Sequence, residues 1–78
     1  MKREKRSLSL HGHRTSVALE IPFWEVIDTA ANEYEMSLAG FLAGIDDQRV
    51  REKSPLGLAA YLRVWALIHV QSRSDNKA

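Results

Sequence analysis

The 78-residue chain has no cysteine, only two prolines and only four glycines. Without thiols it can form neither a disulfide framework nor a thiolate metal site. That usage fits a reducing compartment, and the expected location is cytoplasmic. Long hydrophobic runs are missing too. The most apolar stretch, Leu56 to Val70, is interrupted by Arg63 and His69 and is too short to span a bilayer. The basic start, Met1 to Arg6, leads only into a brief Ser-Leu alternation, so no secretory signal is read. Neither repeats nor low-complexity segments are present. Motifs of catalysis are equally scarce: there is no nucleophile motif and no glycine-rich phosphate loop. Asp46 and Asp47 are adjacent, and neighbours on a helix point roughly 100° apart, which disqualifies them as a working carboxylate pair. His11 and His13 lack a third ligand type nearby and read as turn residues. The chain is therefore expected to be no enzyme, with no catalytic residue, no metal and no cofactor.

What is present is an ordinary apolar share, 45%, in a chain long enough for one domain. A core this small is marginal for a monomer, and self-association is the remaining way to enlarge it. Thr15 to Pro22 carries the one firm strand signal. Val17, Leu19 and Ile21 alternate with Ser16, Ala18 and Glu20. A lone strand leaves its own N–H and C=O groups unpaired, so a partner must come from a second chain or from a weaker strand nearby. Ser7 to Leu10 alternates as well, and His11 to Arg14 could turn the chain between the two. The expectation is a mostly α chain with one N-terminal strand, paired between the subunits of a homodimer.

Charge is unevenly placed. Residues 1–14 hold five cations (Lys2, Arg3, Lys5, Arg6, Arg14) against Glu4, a balance of +4. Residues 15–52 hold eight carboxylates against Arg49 and Arg51, a balance of −6. A basic arm on an acidic body suits a nucleic-acid binder. Residues 1–6 are read as a disordered arm, 7–73 as the domain and 74–78 as tail.

Pro22 suits the first turn of a helix, where its missing N–H is not needed. Phe23, Ile27, Ala30 and Tyr34 give that helix an inward stripe, widened by Trp24 and Ala31, and it ends near Tyr34 to Met36. Ser37 is an N-cap for a second helix with a Leu38, Phe41, Leu42, Ile45 face. Gly40 and Gly44, four apart, suggest close approach of another helix, with the dimer mate's as the candidate. Asp46 to Lys53 reads as a fraying linker. Ser54-Pro55 starts a third helix, about 55–71, buried through Leu58, Tyr61, Leu62, Trp65 and either Ile68 or His69.

Strand, Pro-led helix, Ser-capped turn and second helix together resemble the ribbon-helix-helix family of bacterial DNA-binding proteins. Ser16 to Pro22 matches the ribbon, Phe23 to Met36 the first helix and Ser37 to Asp46 the second. Lys5 to Glu20, with Phe23-Trp24 and Met36-Ser-Leu38, is similar to a small stand-alone proteobacterial subgroup that carries a third helix. The resemblance implies a homodimer whose two-stranded ribbon lies in the DNA major groove. Ser16, Ala18 and Glu20 would then face the bases. Lys2, Arg3, Lys5, Arg6, Arg14, Ser37 and Leu38 would hold phosphates, Ser37 and Leu38 with Ala39 through the helix N-terminus. Val17, Leu19, Ile21, Phe41, Leu42 and Ile45 would form the dimer core. Glu20 would repel phosphates unless paired, with Arg14 the expected partner. The implied function is transcriptional regulation with double-stranded DNA as partner. The alternative is a protein-interaction module, such as an antitoxin or adaptor, with a protein partner and weak or no DNA binding.

Overall fold

The Val17-Leu19 alternation finds its partner inside the same chain. The computed structural model describes residues 1–75. Strand β1 spans Arg3–Leu10 and strand β2 spans His13–Glu20. They pair antiparallel, from Arg3 opposite Glu20 to Leu10 opposite His13. His11 and Gly12 join them, at φ of 53° and 79°. Two positive angles give the turn whose twist matches a hairpin, and Gly12 adopts its angle with no Cβ to clash.

Two expectations are corrected here. Residues 1–6 are not a disordered arm, because Arg3 to Arg6 belong to β1. Nor does β2 depend on a second chain for its first neighbour. The charged run Arg3-Glu-Lys-Arg6 can be a strand because its inward members are engaged. The Trp24 indole N–H donates to the Glu4 carbonyl at 2.8 Å, and Arg6 reaches Asp28. The hairpin is extended by the Ile21 N–H, which donates to the Lys2 carbonyl at 3.3 Å.

Helix α1, Ile21–Glu33, starts with Pro22 in its first turn, as expected. Its buried line is Trp24, Ile27, Ala30 and Ala31. The stripe is thus rotated from the one expected: Phe23 is half-buried and Tyr34 is 63% exposed. The helix ends without glycine. Glu35 takes φ 55°, the Met36 N–H bonds the Ala31 carbonyl and the Glu35 N–H bonds Asn32. These two bonds form the left-handed closure that satisfies the last carbonyls.

Helix α2 spans Leu38–Arg51, and the Ser37 hydroxyl accepts from the Gly40 N–H at 3.1 Å. Phe41, Leu42 and Ile45 are buried. The expected fraying from Asp46 does not occur. Arg49 bonds Asp46 at 2.9 Å, and the same left-handed closure recurs at Lys53, with the Ser54 N–H on the Arg49 carbonyl. Among the described residues no helix of the same chain approaches the glycines: a Cβ at Gly44 would meet nothing within 4 Å, and one at Gly40 would sit 3.1 Å from the Ser37 hydroxyl.

Helix α3 spans Leu58–Asp75, three residues later than Pro55 and past the expected end. Ser54 cannot cap it, because its N–H closes α2 and its hydroxyl accepts from the Leu56 N–H within the loop. The first helical bond instead runs from the Tyr61 N–H to the Gly57 carbonyl. Tyr61, Leu62 and Ala66 are buried, while Ile68 faces out and His69 stacks on Trp65 at 4.8 Å. Arg73 pairs with Glu33, tying the last turn to α1. Of the expected tail, 74 and 75 are helical and 76–78 lie outside the described residues.

The helices pack beneath one face of the hairpin. Val17, Leu19, Phe41, Leu42 and Ile45, expected in a dimer core, are all at most 7% exposed within one chain. Ile21, the sixth, is 42% exposed and outside that core. No helix among the described residues is long and apolar enough to cross a membrane.

Candidate nucleic-acid interface

Alternation divides the hairpin into two faces of different chemistry. Glu4, Arg6, Leu8 and Leu10 on β1 lie opposite Leu19, Val17, Thr15 and His13 on β2, and this set faces the helices. The other set is Arg3 opposite Glu20, Lys5 opposite Ala18, Ser7 opposite Ser16 and Ser9 opposite Arg14. Arg3, Lys5, Ser7, Ser9, Arg14 and Ser16 are all exposed, so this outward face presents three cations and three hydroxyls. Cross-strand hydrogen bonds hold part of it in place. The Arg14 guanidinium donates to the Ser7 hydroxyl at 3.1 Å and to Ser9 at 3.5 Å.

Glu20 is the one carboxylate on this face, and its partner is not Arg14. Arg63 of α3 donates to Glu20 through Nε at 2.8 Å and through a second nitrogen at 3.3 Å. The same nitrogen lies 3.4 Å from the Ala18 carbonyl. The Arg63 hydrogen bond, helped by the backbone and by nearby positive charge, holds the Glu20 carboxyl below the usual carboxylate range. Of the three expected base-facing positions, Ser16 is therefore open, Ala18 is half-buried and Glu20 is neutralised. Arg63 was visible in the sequence only as a charge interrupting an apolar helix. That interruption was the available signal.

Arg6, expected among the phosphate contacts, is engaged within the fold instead. It donates to Asp28 from two nitrogens, at 2.9 and 3.1 Å, and to Glu4 at 2.6 Å. Its guanidinium carbon lies 4.3 Å from the centre of the Trp24 ring. The Asp28 hydrogen bond leads the causes that raise its pKa further. Arg6 is a brace between β1 and α1, its guanidinium committed to Asp28, Glu4 and Trp24 where the sequence reading had it meeting phosphate. Lys2 is exposed at the strand entrance.

The N-terminus of α2 is a separate feature. Ser37 spends its hydroxyl on Gly40, and the Leu38 and Ala39 N–H groups have no acceptor among the described residues. No hydrogen bond links these positions to the outward face of the hairpin. At the opposite end of the ribbon, the His11 imidazole lies 3.1 Å from the Asp47 carboxylate and 3.6 Å from Asp46, docking the hairpin tip on α2.

Comparison with known proteins adds to this geometry. A family model described as a ribbon-helix-helix domain matches residues 3–70. An uncharacterized protein from Bordetella pertussis Tohama I has a similar structure, with a TM-score of 0.84 and 27% sequence identity. The match covers 99% of this chain but 62% of that one, so this chain spans under two thirds of the neighbour's length. No curated protein matches the sequence.

Proposed function

Because this chain belongs to the ribbon-helix-helix family, whose members generally bind DNA as dimers in transcription regulators or antitoxins, we propose that it is a homodimeric DNA-binding transcriptional regulator. The observation that carries the reading is the outward face of the hairpin. It displays Arg3, Lys5 and Arg14 with its single carboxylate already occupied by Arg63.

A two-stranded ribbon fits the major groove, where side chains on one face meet base edges and phosphates. Arg14 stands on a serine platform that orients its guanidinium, the group best suited to the two acceptors on guanine. Arg3 and Lys5 line the neighbouring strand and supply phosphate attraction. Ser7, Ser9 and Ser16 can donate or accept at any base, which gives contact with little discrimination. Ala18 can touch a thymine methyl. With Glu20 neutralised, the face no longer opposes the backbone of DNA. The free N–H groups of Leu38 and Ala39 offer a further phosphate contact.

The test is fluorescence anisotropy of the full chain with a 20-base-pair duplex as salt is raised. Binding should weaken linearly in log–log form with a slope of about −5, roughly 0.9 for each outward cation of the two chains. Absence of binding at low salt would overturn the proposal.

A further inference from the structure

Tyr34, the C-cap of α1, leaves 63% of its surface exposed although its ring stacks beside the core. It lines a cleft of about 460 Å³ where the C-terminal ends of α1 and α2 meet α3. A space of that size suits a small molecule. Trp65 and His69 of α3 line it too, their rings stacked at 4.8 Å. Phe41 links the two sides, 5.8 Å from Tyr34 and 5.4 Å from Trp65. Aromatic rings carry negative faces, which attract cations.

Glu52, the C-cap of α2, supplies the one carboxylate of the cleft. Neutral groups hold both of its oxygens. The Tyr61 hydroxyl donates to one at 2.8 Å and the Gln48 side-chain amide to the other at 2.9 Å. Gln48 first, then Tyr61, with the charge of Arg51 further off, keep the Glu52 carboxyl below the usual carboxylate range. Glu20 and Glu33 are held low as well, but by Arg63 and Arg73, which cancel their charge. Among the described residues no cation forms an ion pair with Glu52. Its oxygens also keep lone pairs to spare, since each accepts a single hydrogen bond.

This lining selects the chemistry of an occupant. An anion would be repelled by Glu52. A bare metal ion needs several oxygen or nitrogen ligands, and among the described residues no three His, Asp or Glu side chains gather to hold one. An organic ammonium ion gains from both features, its head from the carboxylate and its apolar part from the rings and Ile68. We propose that the cleft binds a small organic ammonium ion, the charged head against Glu52 and the apolar substituent on the rings of Tyr34 and Trp65. The site uses no residue of the hairpin, so it stands or falls apart from DNA binding.

The test is a titration of the full ¹⁵N-labelled chain without DNA, followed by the indole N–H signals in NMR. The chain has two tryptophans. Trp65 lines the cleft, while Trp24 is buried with its N–H on the Glu4 carbonyl and serves as the internal reference. The probe is 2-phenylethylammonium, and 2-phenylethanol is its uncharged counterpart. The ammonium ion should shift the Trp65 signal saturably, with a dissociation constant of about 1 mM or lower, and leave Trp24 in place. The alcohol should bind at least roughly tenfold more weakly. Glu52→Gln keeps the size of the side chain and removes its charge. It should weaken the ammonium ion roughly tenfold and leave the alcohol unchanged. Should Glu52→Gln misfold, Tyr34→Ala alters an exposed ring instead and should weaken the ammonium ion at least roughly threefold. A Trp65 signal that does not move would overturn the proposal. So would an alcohol that binds as well as the ammonium ion, or a folded Glu52→Gln that binds it as wild type does.

Discussion

Arg6 and Arg14 are the same residue type on the same hairpin, eight positions apart, and they have opposite fates. Arg6 points inward, held by Asp28 and Glu4 and lying on Trp24. Arg14 points outward and rests on two serine hydroxyls, its charge uncompensated by any carboxylate in contact among the described residues. The side-chain period of two decides which cation braces the fold and which is free to meet an anion. Counting basic residues in a segment therefore overstates its capacity to bind phosphate. The two faces must be separated first.

The largest effect should come from violating the inward face. Leu19 is fully buried, so Leu19→Lys should cost more than about 4 kcal/mol and unfold the protein. Ser16→Lys, three residues away on the exposed face, should leave the melting temperature within the scatter of wild type. Thermal denaturation followed by circular dichroism compares them directly.

Next is the outward face taken together. Replacing Arg3, Lys5 and Arg14 with alanine should lower duplex affinity roughly a hundredfold at low salt while preserving the helical spectrum. Binding that survived the triple change would move the interface off the hairpin.

A smaller effect is expected at Glu20, where the faces are coupled through α3. Glu20→Gln loses the Arg63 ion pair and releases a cation beside the ribbon. The melting temperature should fall slightly, and affinity for random duplex should rise by roughly severalfold. The same pair gives the smallest and most specific signal, a dependence on acid. Glu20, Glu33 and Glu52 all have carboxyls held below the usual range, by Arg63, by Arg73 and by Gln48 with Tyr61. Their stabilisation is complete above the ordinary carboxylate pKa and is lost as pH falls through the lowered values. The melting temperature should drop below about pH 4.5, and less in Glu20→Gln, which has one such group fewer.

Much of this architecture could be read from local sequence. Pro22 marks the first helix, Ser37 caps the second, and the Val17-Leu19 alternation marks a strand. The errors share a physical cause. Helix α1 ends where the sequence placed it, near Tyr34, but α2 runs on to close at Lys53, a non-glycine residue in left-handed geometry, so no glycine announces that end. Arg3 to Arg6 resembles a solvated tail because the groups that make it a strand, Trp24 and Asp28, lie about twenty residues away. The Glu20–Arg63 pair spans 43 positions, and nothing local links its members. The outward cations were legible as candidates, but Arg6 could be separated from Arg14 only once β1 and its register were known.

The contrast between these two arginines allows one direct test. Arg6→Ala and Arg14→Ala should each be confirmed as folded at low temperature, where the loss of about 1–2 kcal/mol expected for Arg6→Ala is tolerated. Each is then titrated with the same duplex over a series of salt concentrations. Arg14→Ala is predicted to bind more weakly and to reduce the salt slope by about two units, one for each chain of the dimer, whereas Arg6→Ala keeps the wild-type slope. If Arg6→Ala lost as much slope as Arg14→Ala with its fold intact, the division of the hairpin into a bracing face and a DNA-facing one would be contradicted.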